Sequence, residues 1–175
     1  NYSSFIIFYL LSFFKILFAP LIWLLHSCSP IGDPVDKELS PNHYYNKSKT
    51  DVLFSSLGNW FELGKKKMNV DMETFKVLNP TFAKDKNHLY CFSFKIEHPQ
   101  LDLASFYTKG ETAVEKAQMS DVGFDKNHVY TTISVKNGDA YSTELKILDN
   151  ADPNTFKRID YDWAKDKKSY YFHDS

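Results

Sequence analysis

Asp85-Lys-Asn-His88 and Asp125-Lys-Asn-His128 each set a carboxylate, an amide and an imidazole within four residues. Such groups bind metals or move protons, so their spacing is the first thing to weigh. Zinc sites pair Cys or His ligands at short intervals. The two histidines stand far apart along the chain without a companion ligand nearby, so exposed turn histidines are expected rather than a metal. Asp-x-Asn also opens a calcium loop, but the position eleven on is Ile96 in one string and Lys136 in the other, where a bidentate Glu is required. Cys91 follows Tyr90 among strand-forming residues, and packing accounts for it better than nucleophilic catalysis. Gly-x-Ser-x-Gly, His-Glu-x-x-His, Gly-x-Gly-x-x-Gly and phosphate-binding Gly-Lys strings are all missing. Nothing selects a pair among the 22 acidic residues for glycoside hydrolysis. No catalytic, cofactor-binding or metal residue is therefore expected, and no cofactor.

The same strings make sense as parts of a repeat. Val70–Tyr90 aligns with Ala151–Tyr171 at a constant offset of 81, matching Asp71 with Asp152, Thr74 with Thr155, Phe75 with Phe156, Lys76 with Lys157, and Ala83-Lys-Asp-Lys86 with Ala164-Lys-Asp-Lys167. Tyr90 is set against Tyr170 by allowing one residue of slack, which places Cys91 opposite Tyr171. A middle copy has Asp102-Leu-Ala-Ser-Phe106, then a longer path from Phe106 to Asp125 than the outer copies take from Phe75 to Asp85 and from Phe156 to Asp166. The excess is a nine-residue insertion within Tyr107–Val122. A worn fragment at Ser48–Phe54 suggests an earlier copy and a period of about 40 residues, the size of a stacked supersecondary unit.

Each unit must then supply strands. Asp-x-x-Thr-Phe begins a turn whose Asp accepts a backbone N–H. Phe75–Leu78 and Phe156–Ile159 alternate apolar and charged residues at period 2. Phe82–Lys84 and Trp163–Lys165 make short second strands, and Asp-Lys-Asn-His reverses the chain, with Asn suited to the left-handed conformation. Leu89–Phe94 and Val129–Val135 read as single strands, and Asn137-Gly138 turns the latter into Ala140–Leu148. Gly58-Asn59 with Trp60–Leu63 is an earlier counterpart of that turn, and Glu111–Met119 is expected as one short surface helix. The fold class expected is mainly β: a tandem repeat of short antiparallel strands and hairpins.

The strings Asp85–Tyr90, Asp125–Tyr130, Ala164–Tyr171 and Asp152–Phe156 resemble the DKNYY family, bacterial proteins built from tandem copies of this string and often carrying lipoprotein-like leaders. The resemblance spans roughly residues 48–172 and departs at Lys168 and at the single Tyr of the first two strings. It implies a β-rich repeat and brings no activity, substrate or catalytic residue.

The N-terminus carries an address. Residues 1–27 hold one charged residue, Lys15, and Ile16–Leu25 is an apolar run of signal-peptide length. Leu25-His-Ser-Cys28 resembles the lipobox of bacterial lipoproteins, which implies lipidation of Cys28 and anchoring by acyl chains. The expected organisation is a signal peptide over 1–27, a flexible tether over 28–43 whose Pro, Gly and Asp cannot continue a helix, and a repeat domain over 44–175 in units of about 44–69, 70–100, 101–150 and 151–175. With Cys28 lipidated, Cys91 has no disulfide partner.

The 21 basic and 22 acidic residues are intermixed, which disfavours nucleic acid as a partner. Tyr44-Tyr45, Trp60-Phe61 and Tyr170-Tyr-Phe172 could offer rings to a sugar or protein, although alternation should send one of each pair into the core. The function expected is that of a non-catalytic lipoprotein of the bacterial cell envelope, membrane-anchored and binding an envelope protein or polysaccharide. The alternatives are a hydrolase with its site in the insertion over 107–122, and a purely structural spacer.

Overall fold

The computed structural model describes residues 31–58, 64–110, 115, 119–138, 140–160 and 162–172. These form four small antiparallel sheets. The first contains β1 (Ile31–Pro34), β2 (His43–Asn46), β3 (Val52–Phe54) and β4 (Lys66–Lys67) in that order. The second contains β5 (Lys76–Val77), β6 (Phe82–Lys84), β7 (Leu89–Cys91) and β8 (Phe94–Ile96), again in order. In the third, β10 (Val129–Asn137) lies between β9 (Val122–Phe124) and β11 (Ala140–Ile147), and a bridge from Tyr107 to Phe124 holds the place of a further strand. The last contains β12 (Lys157–Arg158), β13 (Trp163–Lys165) and β14 (Tyr170–Phe172). The mainly β class holds, and Glu115 is the one described residue with α-helical backbone. The rest of the expected helix, the Gly58-Asn59 turn with Trp60–Leu63, and the signal segment with Cys28 fall largely or wholly outside the described residues.

Several expectations are corrected. Residues 31–43, expected as tether, belong to the fold: β1 pairs with β2, and Ile31, Ser40 and His43 are buried. Leu89–Phe94 is not one strand, because Phe92-Ser93 turns it back and Cys91 pairs with Phe94. Tyr90 matches Tyr171 without slack, since each lies five residues after its turn Asp and donates to it; Tyr170 faces out. Cys91 consequently matches Phe172, the two occupying the same register against Phe82 and Trp163. The turn asparagines do not adopt the left-handed conformation. Among the described residues the left-handed asparagines are Asn69 and Asn150, each two residues before the Asp that opens a unit.

Packing follows from strands that are buried on both faces. On one face of the second sheet Ala83 and Tyr90 pack with Val52, Phe54 and Met68 of the first. On the other, Phe82, Leu89 and Cys91 meet Phe106, Tyr130 and Leu145 of the third. Phe106 wedges between sheets so closely that a Cβ on Gly123 would overlap its ring, so that position admits only glycine. Phe156 repeats the wedge against Phe124 and Tyr171. A fully buried ring of this kind contributes roughly 2 kcal/mol through removal from water.

The turn that the sequence repeats is held by one carboxylate. Oδ1 of Asp85 accepts the N–H groups of Asn87 (2.8 Å) and His88 (2.7 Å), while Oδ2 accepts the Tyr90 hydroxyl (2.7 Å) and the N–H of Asp71 (2.9 Å). Asp125 makes the same four bonds with Asn127, His128, Tyr130 and Asp102. Asp166 makes them with Lys168, Ser169, Tyr171 and Asp152. The following Lys completes a clasp. Lys86, Lys126 and Lys167 reach Asp71, Asp102 and Asp152 at 2.7–2.8 Å, and their N–H groups donate to the hydroxyls of Thr74, Ser105 and Thr155. Nearly every repeated polar residue is thereby accounted for by one network.

Burial opposes the charge on Asp125, but the Tyr130 hydroxyl and the three N–H groups outweigh it and bring its pKa down to about 2. A folded value below the ordinary 3.8 means that this carboxylate stabilises the fold fully above that value, and the stabilisation is lost as pH falls through about 2. Asp125→Ala should lower folding stability at pH 7 by about 3 kcal/mol, because buried donors lose their acceptor. Denaturant titrations of both proteins across this acid range check it: the gap between them should shrink as pH falls, and a gap independent of pH would refute the assignment. Lys126→Met, which removes only the exposed ion pair, should change stability far less than Asp125→Ala does.

Candidate functional site

The residues singled out by type are placed as structure. His88 and His128 lie beside their own turn aspartates, with Nδ1 3.7 and 3.4 Å from Oδ1. Among the described residues no three His, Cys, Asp or Glu side chains converge as a metal would need. Burial pushes the Cys91 thiol up to about 12, so it stays protonated and packs as a small apolar group. Of the ring pairs, Tyr44 is buried and Tyr45 packs partly against the core between the first two sheets, while Tyr171 is buried between exposed Tyr170 and Phe172. Trp60-Phe61 lies outside the described residues.

The insertion occupies the hairpin tip between the bridge residue Tyr107 and β9. It packs against both neighbouring units: Thr108 donates to the Leu78 carbonyl, the Asn79 amide donates to the Ser120 carbonyl, and Asp121 pairs with Arg158 at 2.8 Å. A cavity of about 690 Å³ lies beside it, lined by Tyr107, Lys109, Glu115, Met119, Phe156 and Arg158 among others. Lys109 explains why the segment is tolerated. In the second unit buried Lys84 reaches forward and donates to the carbonyls of Leu103, Ala104 and Phe106 at 2.6–3.2 Å. The third unit has Phe124 where that lysine would stand. Lys109, at the base of the insertion, instead donates to the matching carbonyls of Pro153 (2.5 Å) and Phe156 (3.3 Å), its Nζ 4.4 Å over the Phe124 ring. Burial lowers the pKa of both lysines. Aligning Phe124 with Lys84 exposes the missing cation in the sequence; its replacement from the far end of the insertion leaves no such sign.

A second concavity, of about 360 Å³, opens at the side of the first two sheets between Asn42, Phe54, Ser56, Lys66, Pro80, Phe92, Ser93 and Phe94. Its floor is set by an unfavourable backbone. Phe92 has φ of 54°, a left-handed value that an aromatic residue adopts only at a cost of about 1–3 kcal/mol. Its N–H donates to the Thr81 carbonyl at 2.7 Å, and its ring meets Phe54 edge-on at 6.1 Å. Phe94 stands beside it, also partly exposed, with the Lys66 ammonium 4.1 Å above its ring. Two rings, a cation and the Asn42 amide thus line one cleft. Sequence reading missed it, because Leu89–Phe94 looked like one continuous strand.

Lys109→Met should destabilise the fold by about 1–3 kcal/mol, since two carbonyls lose their donor. Adding Phe124→Lys should not restore that loss, because Phe124 is itself fully buried against Phe156 and the second change removes a core ring. Denaturant titration of the two variants and the parent checks this, and a loss under about 0.5 kcal/mol for Lys109→Met would remove the compensating role.

No helix among the described residues is long and apolar enough to cross a membrane. No curated protein and no solved structure matches the chain. A sequence model of the DKNYY family matches residues 44–175, which takes in the last three strands of the first sheet and the whole of the other three. With three copies of its string closing on the same network, the chain belongs to the DKNYY family.

Proposed function

We propose that the protein is a non-catalytic lipoprotein of the bacterial cell envelope, held to a membrane by lipid on Cys28, whose repeat domain binds an envelope polysaccharide or protein. In this reading residues 1–27 are the signal peptide, the domain is a tandem array of units each about 40 residues long, and residues 111–119 form a helix on the insertion. The observation that carries binding is the cleft at Phe92. The repeated polar groups are engaged inside the fold, whereas this cleft holds a ring in a conformation that glycine would adopt without strain. Strain kept at a concave, partly exposed aromatic position points to a ligand surface. Rings that stack on sugar or peptide planes, flanked by one cation and one amide, suit a neutral or weakly acidic extended polymer.

Phe92→Gly tests this directly. The change relieves the left-handed strain and loses the contact with Phe54, so folding stability should stay within about 1 kcal/mol of the parent. Affinity for soluble fragments of envelope polysaccharide or peptide, measured by calorimetry, should fall at least about tenfold. Equal binding by the variant would overturn the site, and turnover of those fragments by the parent would overturn the non-catalytic reading. The 690 Å³ cavity at the insertion favours a second reading, a hydrolase sited there. That reading predicts turnover that disappears when Glu115 is replaced by Gln.

A further inference from the structure

His43 is wholly buried, and its Nε2 meets no hydrogen-bond partner. Nδ1 lies 2.9 Å from the Ser40 hydroxyl, so in either tautomer one side of the ring is satisfied and the other is not. A buried polar atom left in this state costs free energy that an apolar ring would not, and calls for a reason. Its position supplies one. The ring stands edge-on to Phe54 at 5.2 Å and tilted against Phe75 at 6.3 Å, in the joint between the first two sheets. The same Phe54 ring meets Phe92, the left-handed residue on the floor of the cleft, at 6.1 Å. An orphaned nitrogen and a strained aromatic turn thus share one wall of that joint.

A proton changes the balance there. Burial lowers the His43 pKa from 6.5 to about 4, and the Phe92 backbone, which favours the protonated ring, does not make up for the lost water. Among the described residues no side-chain charge perturbs the ring. Lys66 of β4 lies over Phe94, Lys67 pairs with Asp51, Lys86 pairs with Asp71, and Asp85 is engaged by Tyr90. Because the folded value lies below the unfolded one, stability is complete above about 6.5 and declines as pH falls toward about 4. Asp125 and Asp166, each with a pKa of about 2, keep their charge throughout that window. We propose that His43 is an acid-sensitive latch beneath the Phe92 turn: once protonated it leaves its buried place, the turn relaxes, and the cleft loses the form that holds a ligand. The ligand's part in this rests on the reading of the cleft as the binding surface. The opening is local, since the turn hangs on the bond from the Phe92 N–H to the Thr81 carbonyl, and the clasps of the later units do not involve His43.

Amide exchange of the full chain in detergent micelles, expressed as protection factors to remove the intrinsic effect of pH, tests the latch. Protection at Phe92 should fall by roughly a hundredfold between pH 6.5 and 4, while that at Asn127 in the third sheet's turn holds. His43→Phe keeps an aromatic edge for Phe54 and cannot titrate, so its Phe92 protection should change less than about twofold over the same range. Should the larger ring overpack the joint, His43→Leu takes its place. Constant protection in the parent, or an equal fall in the variant, overturns the latch. So does a fall at Asn127 as steep as at Phe92, since the whole molecule would then be unfolding. Affinity for the envelope fragments should drop across the window in the parent and stay level in the variant; a level affinity in the parent overturns the control of binding. A parent that binds no fragment at any pH defeats the reading of the cleft, and the exchange result still decides the latch.

Discussion

Everything in this fold hangs on a carboxylate with four donors. An aspartate is short enough for one oxygen to close its own turn across two successive N–H groups, while the other reaches a tyrosine five residues on and the start of the same unit. No other side chain does both. Glu would overshoot the turn, and Asn would bring an N–H₂ where two donors already point. The polar cluster is paired throughout, so it can lie at the centre of a unit without the penalty that an unpaired buried charge carries. Because the tyrosine is on the strand and the amide on the preceding turn, the carboxylate ties local and less local structure together in one atom group.

Around these anchors the chain needs only short strands, three residues in many cases, because burial comes from the neighbours on either side. Leu89-Tyr90-Cys91 sends its middle ring backward to the first sheet and its outer side chains forward to the third. The forward face also needs a cation for the carbonyls of the next turn. Where Lys84 gives way to Phe124, the insertion brings Lys109 to the same carbonyl positions. The break in the repeat therefore preserves the interface it interrupts, and the added segment gains its place beside a cavity without loosening the array.

The sequence made the β class, the hairpin strings and most strand positions legible, because Asp, Lys and Tyr recur at fixed distances and each has one structural task. It also showed that Asn127 and His128 could change to Lys168 and Ser169; the structure gives the reason, since what these positions share is the backbone N–H that each donates to the turn carboxylate. By type alone Tyr90 aligns with Tyr170 as readily as with Tyr171, because two adjacent tyrosines are indistinguishable, and only bonding to Asp166 separates them. Phe92 escaped notice for a related reason. A left-handed turn residue is normally signalled by Gly or Asn, and Phe in a run of strand formers conceals the reversal. Residues 31–43 hid behind their Pro and Gly content, although Asp36 accepts N–H groups from Glu38 and Leu39 much as the later turn aspartates do.

The two-sided strands also set how the molecule acquires its structure. The clasps close between residues 14 apart at Asp71 and Asp85 and at Asp152 and Asp166, and 23 apart at Asp102 and Asp125, so each forms from nearby chain with little loss of loop entropy. A clasp alone buries only one side of its hairpin, and the other side waits for the adjoining unit. Order can thus begin at any of the hairpins and spread stepwise in either direction along the chain, as in a row of coupled spins rather than a single nucleus. A defect in one turn would then be felt by its immediate neighbours and fade beyond them.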